Sequence, residues 1–145
     1  MALIKARLAD NAFGMDIMDE DNHTLRIDIP ADQGGNGKGF RPMQTLLGAL
    51  CGCSAVDVIS ILKKQKQELT NLEIEADGQR EAGKEPSLWK TVHVVFRLSG
   101  KIDPSKGFRA VDLSIDKYCS VAETLRLAGA TIEFTVHVNG EEVNG

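Results

Sequence analysis

The chain has 145 residues, 42% of them hydrophobic and 26% charged, with 17 Lys and Arg against 21 Asp and Glu for a formal net charge of −4. A chain of this length buries a sizeable core without staples, and its mildly acidic balance excludes nucleic acid as a main partner, because phosphate neutralisation needs a clustered basic face. Three cysteines, Cys51, Cys53 and Cys119, are too few and too unevenly spaced for a secreted disulfide framework, so intracellular, mostly reduced thiols are expected.

The first eight residues lack the basic start, apolar run and cleavage site of a signal peptide. Alternating apolar and polar residues, as in Leu25, Ile27 and Ile29 against Arg26 and Asp28, make 3–8, 13–18 and 24–29 a candidate meander of strands. Residues 31–40 hold four glycines, too many for a regular element, and lead to Arg41-Pro42, where proline suits a first helical turn. The helix that follows is predicted over Met43 to Gln67, roughly 37 Å long. From Leu46 to Leu62 it is apolar nearly all round, the pattern of a helix buried on most sides. Asp57, two glycines and two serines leave this stretch short of the ~20 apolar residues of a membrane span. No membrane association is expected, and the cytoplasm is the default location. Lys63, Lys64 and Lys66 complement the negative end of the helix dipole.

Period-two alternation returns at 72–76, 91–98 and 131–138, with polar residues on the opposite face, which predicts an antiparallel sheet with one wet side. Asp103-Pro104 opens a second helix carrying Phe108, Val111, Ile115 and Tyr118. Cys119-Ser120 interrupts it, and a third helix, Val121 to Ala128, stops at Gly129. No linker or repeat divides the chain, so a single domain over 1–145 is expected. His23, His93 and His137 fall in a turn and on polar strand faces without a second histidine at helical spacing, so no metal site or cofactor is predicted. Trp89 reads as a core or interface anchor.

Cys51 and Cys53 lie two residues apart on one helix, about 200° of rotation. Their sulfurs therefore point to opposite sides, which removes both a shared zinc ion and a mutual disulfide. Cys51 shares its side with Leu47, Ala55, Val58 and Leu62, whereas Cys53 shares its side with Ala49, Asp57, Ser60 and Lys64. Cys119, at a break before a helix, meets exposed N–H groups and a dipole that favour a thiolate. Two thiols far apart in sequence, each in a setting able to lower a pKa, fit a peroxidatic and resolving pair. Asp57, a charge in an apolar helix, either answers an arginine such as Arg41 or Arg126 or belongs to the site.

The run Pro42-Met43-Gln44-Thr45-Leu46-Leu47-Gly48-Ala49-Leu50-Cys51-Gly52-Cys53-Ser54-Ala55-Val56-Asp57-Val58, followed by Lys117-Tyr118-Cys119-Ser120-Val121-Ala122-Glu123, resembles the osmotically inducible protein C / organic hydroperoxide resistance (OsmC/Ohr) family. The resemblance implies an α+β fold with a long central helix and two shorter C-terminal helices, intertwined as a homodimer with active sites at the interface. It also implies that Cys53 attacks a hydroperoxide, that Cys119 resolves the resulting sulfenic acid to a disulfide, and that a dithiol regenerates the pair without metal, flavin or haem. Cys51 has no counterpart in the family motif. Peroxidase members carry a glutamate directly after the proline and an arginine in an early strand or loop; here the first position is Met43, and 11–16 hold no arginine. The sequence is closer to the branch with Pro-Met-Gln at this point, and Arg41 and Arg126 are the available thiolate-stabilising substitutes. The expected function is a thiol-dependent peroxidase; the alternative is a redox sensor or small-ligand binding protein on the same fold.

Overall fold

The computed structural model describes residues 2–145; Met1 lies outside the described residues. The chain divides into two compact units, one running through Leu46 and one from Leu47 to Gly145.

The first unit contains the predicted meander: β1 (Lys5–Leu8), β2 (Met15–Met18) and β3 (Thr24–Ile27) form an antiparallel sheet in that order. Asp16 sits opposite both Arg7 and Arg26, and Arg26 Nε donates to its Oδ1 at 2.6 Å. The glycine-rich segment is organised by Asp28, only 1% exposed, whose carboxylate accepts the N–H groups of Ile29 (2.8 Å), Asn36 (3.3 Å) and Lys38 (3.1 Å). At Gly35 a Cβ would stand 2.2 Å from the Ile29 carbonyl oxygen, so only glycine allows the chain to pass there.

Helix α1 (Pro42–Lys64) begins where the proline predicts. The Arg41 N–H donates to Gln44 Oε1 at 3.0 Å, the reach-back half of a capping box. The helix ends three residues before the predicted Gln67. Lys66 takes a left-handed conformation (φ 58°), its N–H donates to the Lys63 carbonyl (3.1 Å), and the Gln67 N–H donates to that of Leu62 (2.9 Å). That is a Schellman stop built without glycine, which is why composition did not reveal it.

Burial along α1 follows one stripe, Leu50, Ser54, Val58 and Leu62, at a spacing of four. Val56 (65% exposed) and Ile59 (47%) lie outside it. The expectation of burial on most sides is therefore corrected for a single chain, which packs only one face of its longest helix. By length and composition α1 would pass for a membrane-crossing helix, yet Leu50, Val58 and Leu62 are built into the hydrophobic core of the second unit.

The second unit's sheet has the order β4 (Glu68–Arg80), β5 (Trp89–Lys101), β6 (Thr131–Val138) and β7 (Glu141–Val143). β4 and β5 pair antiparallel from Glu68–Lys101 to Arg80–Trp89, so both run well past their apolar centres. β5 and β6 pair parallel, which corrects the all-antiparallel expectation. The cause is connectivity: two helices link these strands, and such a crossover returns the chain in the same direction. Val92, Val94, Phe96 and Leu98 on β5 are buried, while the other face shows rows such as Asp77–His93–Glu133. Gly78 leaves room for the Trp89 ring, 2.7 Å from where a Cβ would stand, and Trp89 packs against the core.

Helix α2 (Pro104–Leu113) is capped by Asp103, which accepts the N–H groups of Ser105 (2.9 Å) and Lys106 (3.4 Å). The Ser105 hydroxyl, donating to the same oxygen at 2.6 Å, and then these N–H bonds hold its carboxyl below the usual carboxylate range. The helix then widens into a π-turn, Ser114–Tyr118, before Cys119 turns extended and α3 (Ser120–Leu127) begins. Gly129 (φ 105°) follows the end of α3, as predicted.

Candidate functional site: a pair of cysteines across two helices

All three cysteines are free thiols. Cys53 is half-buried on α1 and packs against the core, and Cys119 is 1% exposed at the N-cap of α3. The two are neighbours although they lie 66 positions apart in the sequence: Cys53 is among the groups that push the Cys119 thiol up. Cys51, two residues from Cys53, has its thiol pushed up by burial.

Cys119 corrects one expectation. Its Sγ does accept the Ala122 N–H at 3.4 Å, the helix-terminal contact that favours a thiolate. Burial outweighs it, and together with the adjacent Cys53 it pushes the Cys119 thiol up to about 11. The folded chain holds the Cys119 proton above the ~8.5 of free cysteine, so the stability it contributes is complete below that value and is lost as pH rises toward about 11. Denaturant unfolding between these limits should show a steeper loss for the native chain than for Cys119→Ser; equal slopes would contradict the assignment.

Asp57, one turn after Cys53, is not paired with Arg126. Its Oδ2 accepts the Ser114 hydroxyl at 2.9 Å. Arg126 instead donates Nη1 to the Ile115 carbonyl (2.8 Å) and Nη2 to Glu123 (3.0 Å), bracing the π-turn from α3. Arg41 lies in the first unit, exposed, as the N-cap of α1. Asp57 also borders an open cavity of about 560 Å³ with Ser60, Lys64, Gln65, Leu113 and Tyr118. Ser114 is the residue that sequence reasoning missed. A lone serine in an amphipathic helix carries no signal, and the π-turn that gives it a role was read as continuous helix.

Three groups of metal-ligand type converge in the first unit, where atoms of Asp19, Asp21 and His23 lie within 4.8 Å of one another. Asp19 Oδ1 accepts the N–H groups of Asp21 and His23, both at 2.9 Å, so turn formation already accounts for the cluster. His93 Nε2 lies 2.8 Å from Thr135 Oγ1 on the exposed sheet face.

Residues 35–135 match the OsmC-like protein family. The protein YhfA of Escherichia coli K12 is 38% identical over 101 residues, covering 69% of this chain and 75% of that protein. A hypothetical protein from Aquifex aeolicus VF5 superposes with a TM-score of 0.81 at 27% identity, covering 96% of each chain. The organic hydroperoxide resistance protein OsmC of Legionella pneumophila shares the fold with a TM-score of 0.68 at 17% identity, over 95% of this chain and 97% of that one. On the family match and the YhfA relationship together, the chain belongs to the OsmC-like family.

Proposed function

We propose that the protein is a thiol-dependent peroxidase that reduces organic hydroperoxides or hydrogen peroxide, in response to oxidative stress, with Cys53 as nucleophile and Cys119 as resolving thiol. The observation that carries this reading is the Cys53–Cys119 neighbourhood in which Cys119 keeps its proton. Two neighbouring free thiols are what sequential attack and resolution require. The Legionella relative of the same fold, an organic hydroperoxide resistance protein, supports the substrate class.

The chemistry balances in three steps. The Cys53 thiolate attacks the outer oxygen of ROOH, forming an S–O bond and breaking O–O; Cys53 becomes a sulfenic acid and the alkoxide takes a proton from solvent to leave as ROH. The Cys119 sulfur attacks the Cys53 sulfur, a disulfide forms, and the Cys119 proton leaves with the hydroxyl as water. A dithiol then exchanges with the disulfide, restoring both thiols and carrying away the oxidation as its own disulfide. No metal or cofactor enters these steps. Purified protein with dithiothreitol should consume hydroperoxide and thiol in equal equivalents of peroxide and dithiol; no consumption would overturn the reading.

A homodimer belongs to the same proposal. Val56 and Ile59 on α1 and Leu127 (81% exposed) after it give a single chain more uncovered apolar surface on its helices than one core accounts for. Sedimentation equilibrium at micromolar concentration should give twice the chain mass, and a stable folded monomer would contradict it. The second reading, a redox sensor or ligand-binding protein in the cytoplasm, is favoured by Met43 at the position where peroxidase members have glutamate.

A further inference from the structure

We infer that Ser114 is the positioning residue that holds Cys119 at Cys53, with Asp57 fixing its hydroxyl; this rests on the proposed thiol chemistry and assigns its second step. Ser114 is wholly buried and is tied at both ends. Its hydroxyl donates to Asp57 Oδ2 at 2.9 Å and stands 3.4 Å from the carbonyl of Ser54, the residue directly after Cys53. Its own carbonyl accepts the Cys119 N–H at 2.7 Å, the five-residue closure of the π-turn. One residue therefore links the backbone that carries the nucleophile to the backbone that carries the resolving thiol.

The π-turn explains why such a tie is needed. It accommodates one residue more per turn than an α-helix, an arrangement that is rare and found mostly where function holds it. Two groups grip this one from outside: the Asp57 carboxylate through the Ser114 hydroxyl, and the Arg126 guanidinium through the Ile115 carbonyl at 2.8 Å. Beyond the turn, the Ala122 N–H donates to Cys119 Sγ and orients the sulfur. Losing the Ser114 hydroxyl frees the turn to relax toward α geometry, which rotates Cys119 away from Cys53. Peroxide attack at Cys53 does not use Cys119, so it is left alone, whereas disulfide closure depends on the proximity of the two sulfurs.

The test separates the two steps. After one equivalent of hydroperoxide, Cys53 sulfenic acid is trapped with dimedone and disulfide formation is followed by quenched mass spectrometry. Ser114→Ala should form sulfenic acid at the native rate and close the disulfide about 10–100-fold more slowly. Asp57→Ala should do the same from the other side, which keeps the inference testable if Ser114→Ala does not fold. Asp57→Asn, whose amide oxygen still accepts the hydroxyl, should close at nearly the native rate. In parallel, equilibration of each protein with a dithiothreitol redox buffer reads the Cys53–Cys119 disulfide without any peroxide. Native closure rates and redox equilibria in both alanine variants would overturn the inference, as would an Asp57→Asn variant as slow as Asp57→Ala. If native protein forms no sulfenic acid with peroxide, the peroxidase reading fails, while the redox-buffer comparison still decides the role of Ser114.

Discussion

Cys53→Ser is expected to abolish hydroperoxide consumption, a loss of roughly 10³-fold or more, because the serine hydroxyl does not ionise near neutral pH and forms no sulfenic acid. Cys119→Ser should behave differently. It retains the first attack, consumes about one equivalent of peroxide per chain, and then stalls as a sulfenic acid with no internal thiol to resolve it. Cys51→Ala should turn over as the native protein does, since its sulfur leaves the helix on the opposite side from Cys53. Steady-state assays on the three variants check this ordering, and a Cys53→Ser variant that still turns over would assign the nucleophile to another thiol.

If Arg41 supplies the charge that supports the Cys53 thiolate, Arg41→Ala slows Cys53 oxidation by about 1–3 orders of magnitude, equivalent to about 1.4–4 kcal/mol of barrier at 1.36 kcal/mol per decade. The thiolate is the reactive form, and the family resemblance implies a charge pair that supports it, of which Met43 stands at one position. Of the two arginines the sequence offers as substitutes, Arg126 is already committed to Glu123 and the Ile115 carbonyl, so the test falls on Arg41. Arg41→Lys, which keeps the charge without the planar fork, should recover part of the rate. Stopped-flow oxidation of the Arg41 variants at constant pH measures the effect. A native rate in Arg41→Ala would move the sensor or binding reading ahead of the peroxidase.

Much of this molecule was legible from pattern alone. The meander, the proline start of α1, the Asp103 cap, the Gly129 stop and β6 over 131–138 follow from periodicity and capping chemistry. β7 was missed although its signal was present: Asn139 and Gly140 both adopt positive φ, the conformation an Asn-Gly hairpin turn requires. The parallel pairing of β5 with β6 is set by the crossover through α2 and α3, which no single strand encodes. At the site, the opposite facing of Cys51 and Cys53 came from helical geometry, and the Cys53–Cys119 pairing came from family resemblance. The high value for the Cys119 thiol could not be read in advance, because it depends on how deeply the fold buries the sulfur and not on the helix end it occupies. The Ser114 tie needed the π-turn, a local widening with no compositional mark.

Cys53 and Cys119 are proposed as one redox pair within a chain. Reduced protein treated with one equivalent of hydroperoxide, alkylated and mapped by peptide mass spectrometry, tests it directly. The predicted product is an intrachain Cys53–Cys119 disulfide with Cys51 alkylated; a dominant Cys51–Cys119 bond, or three freely alkylated thiols, would contradict it.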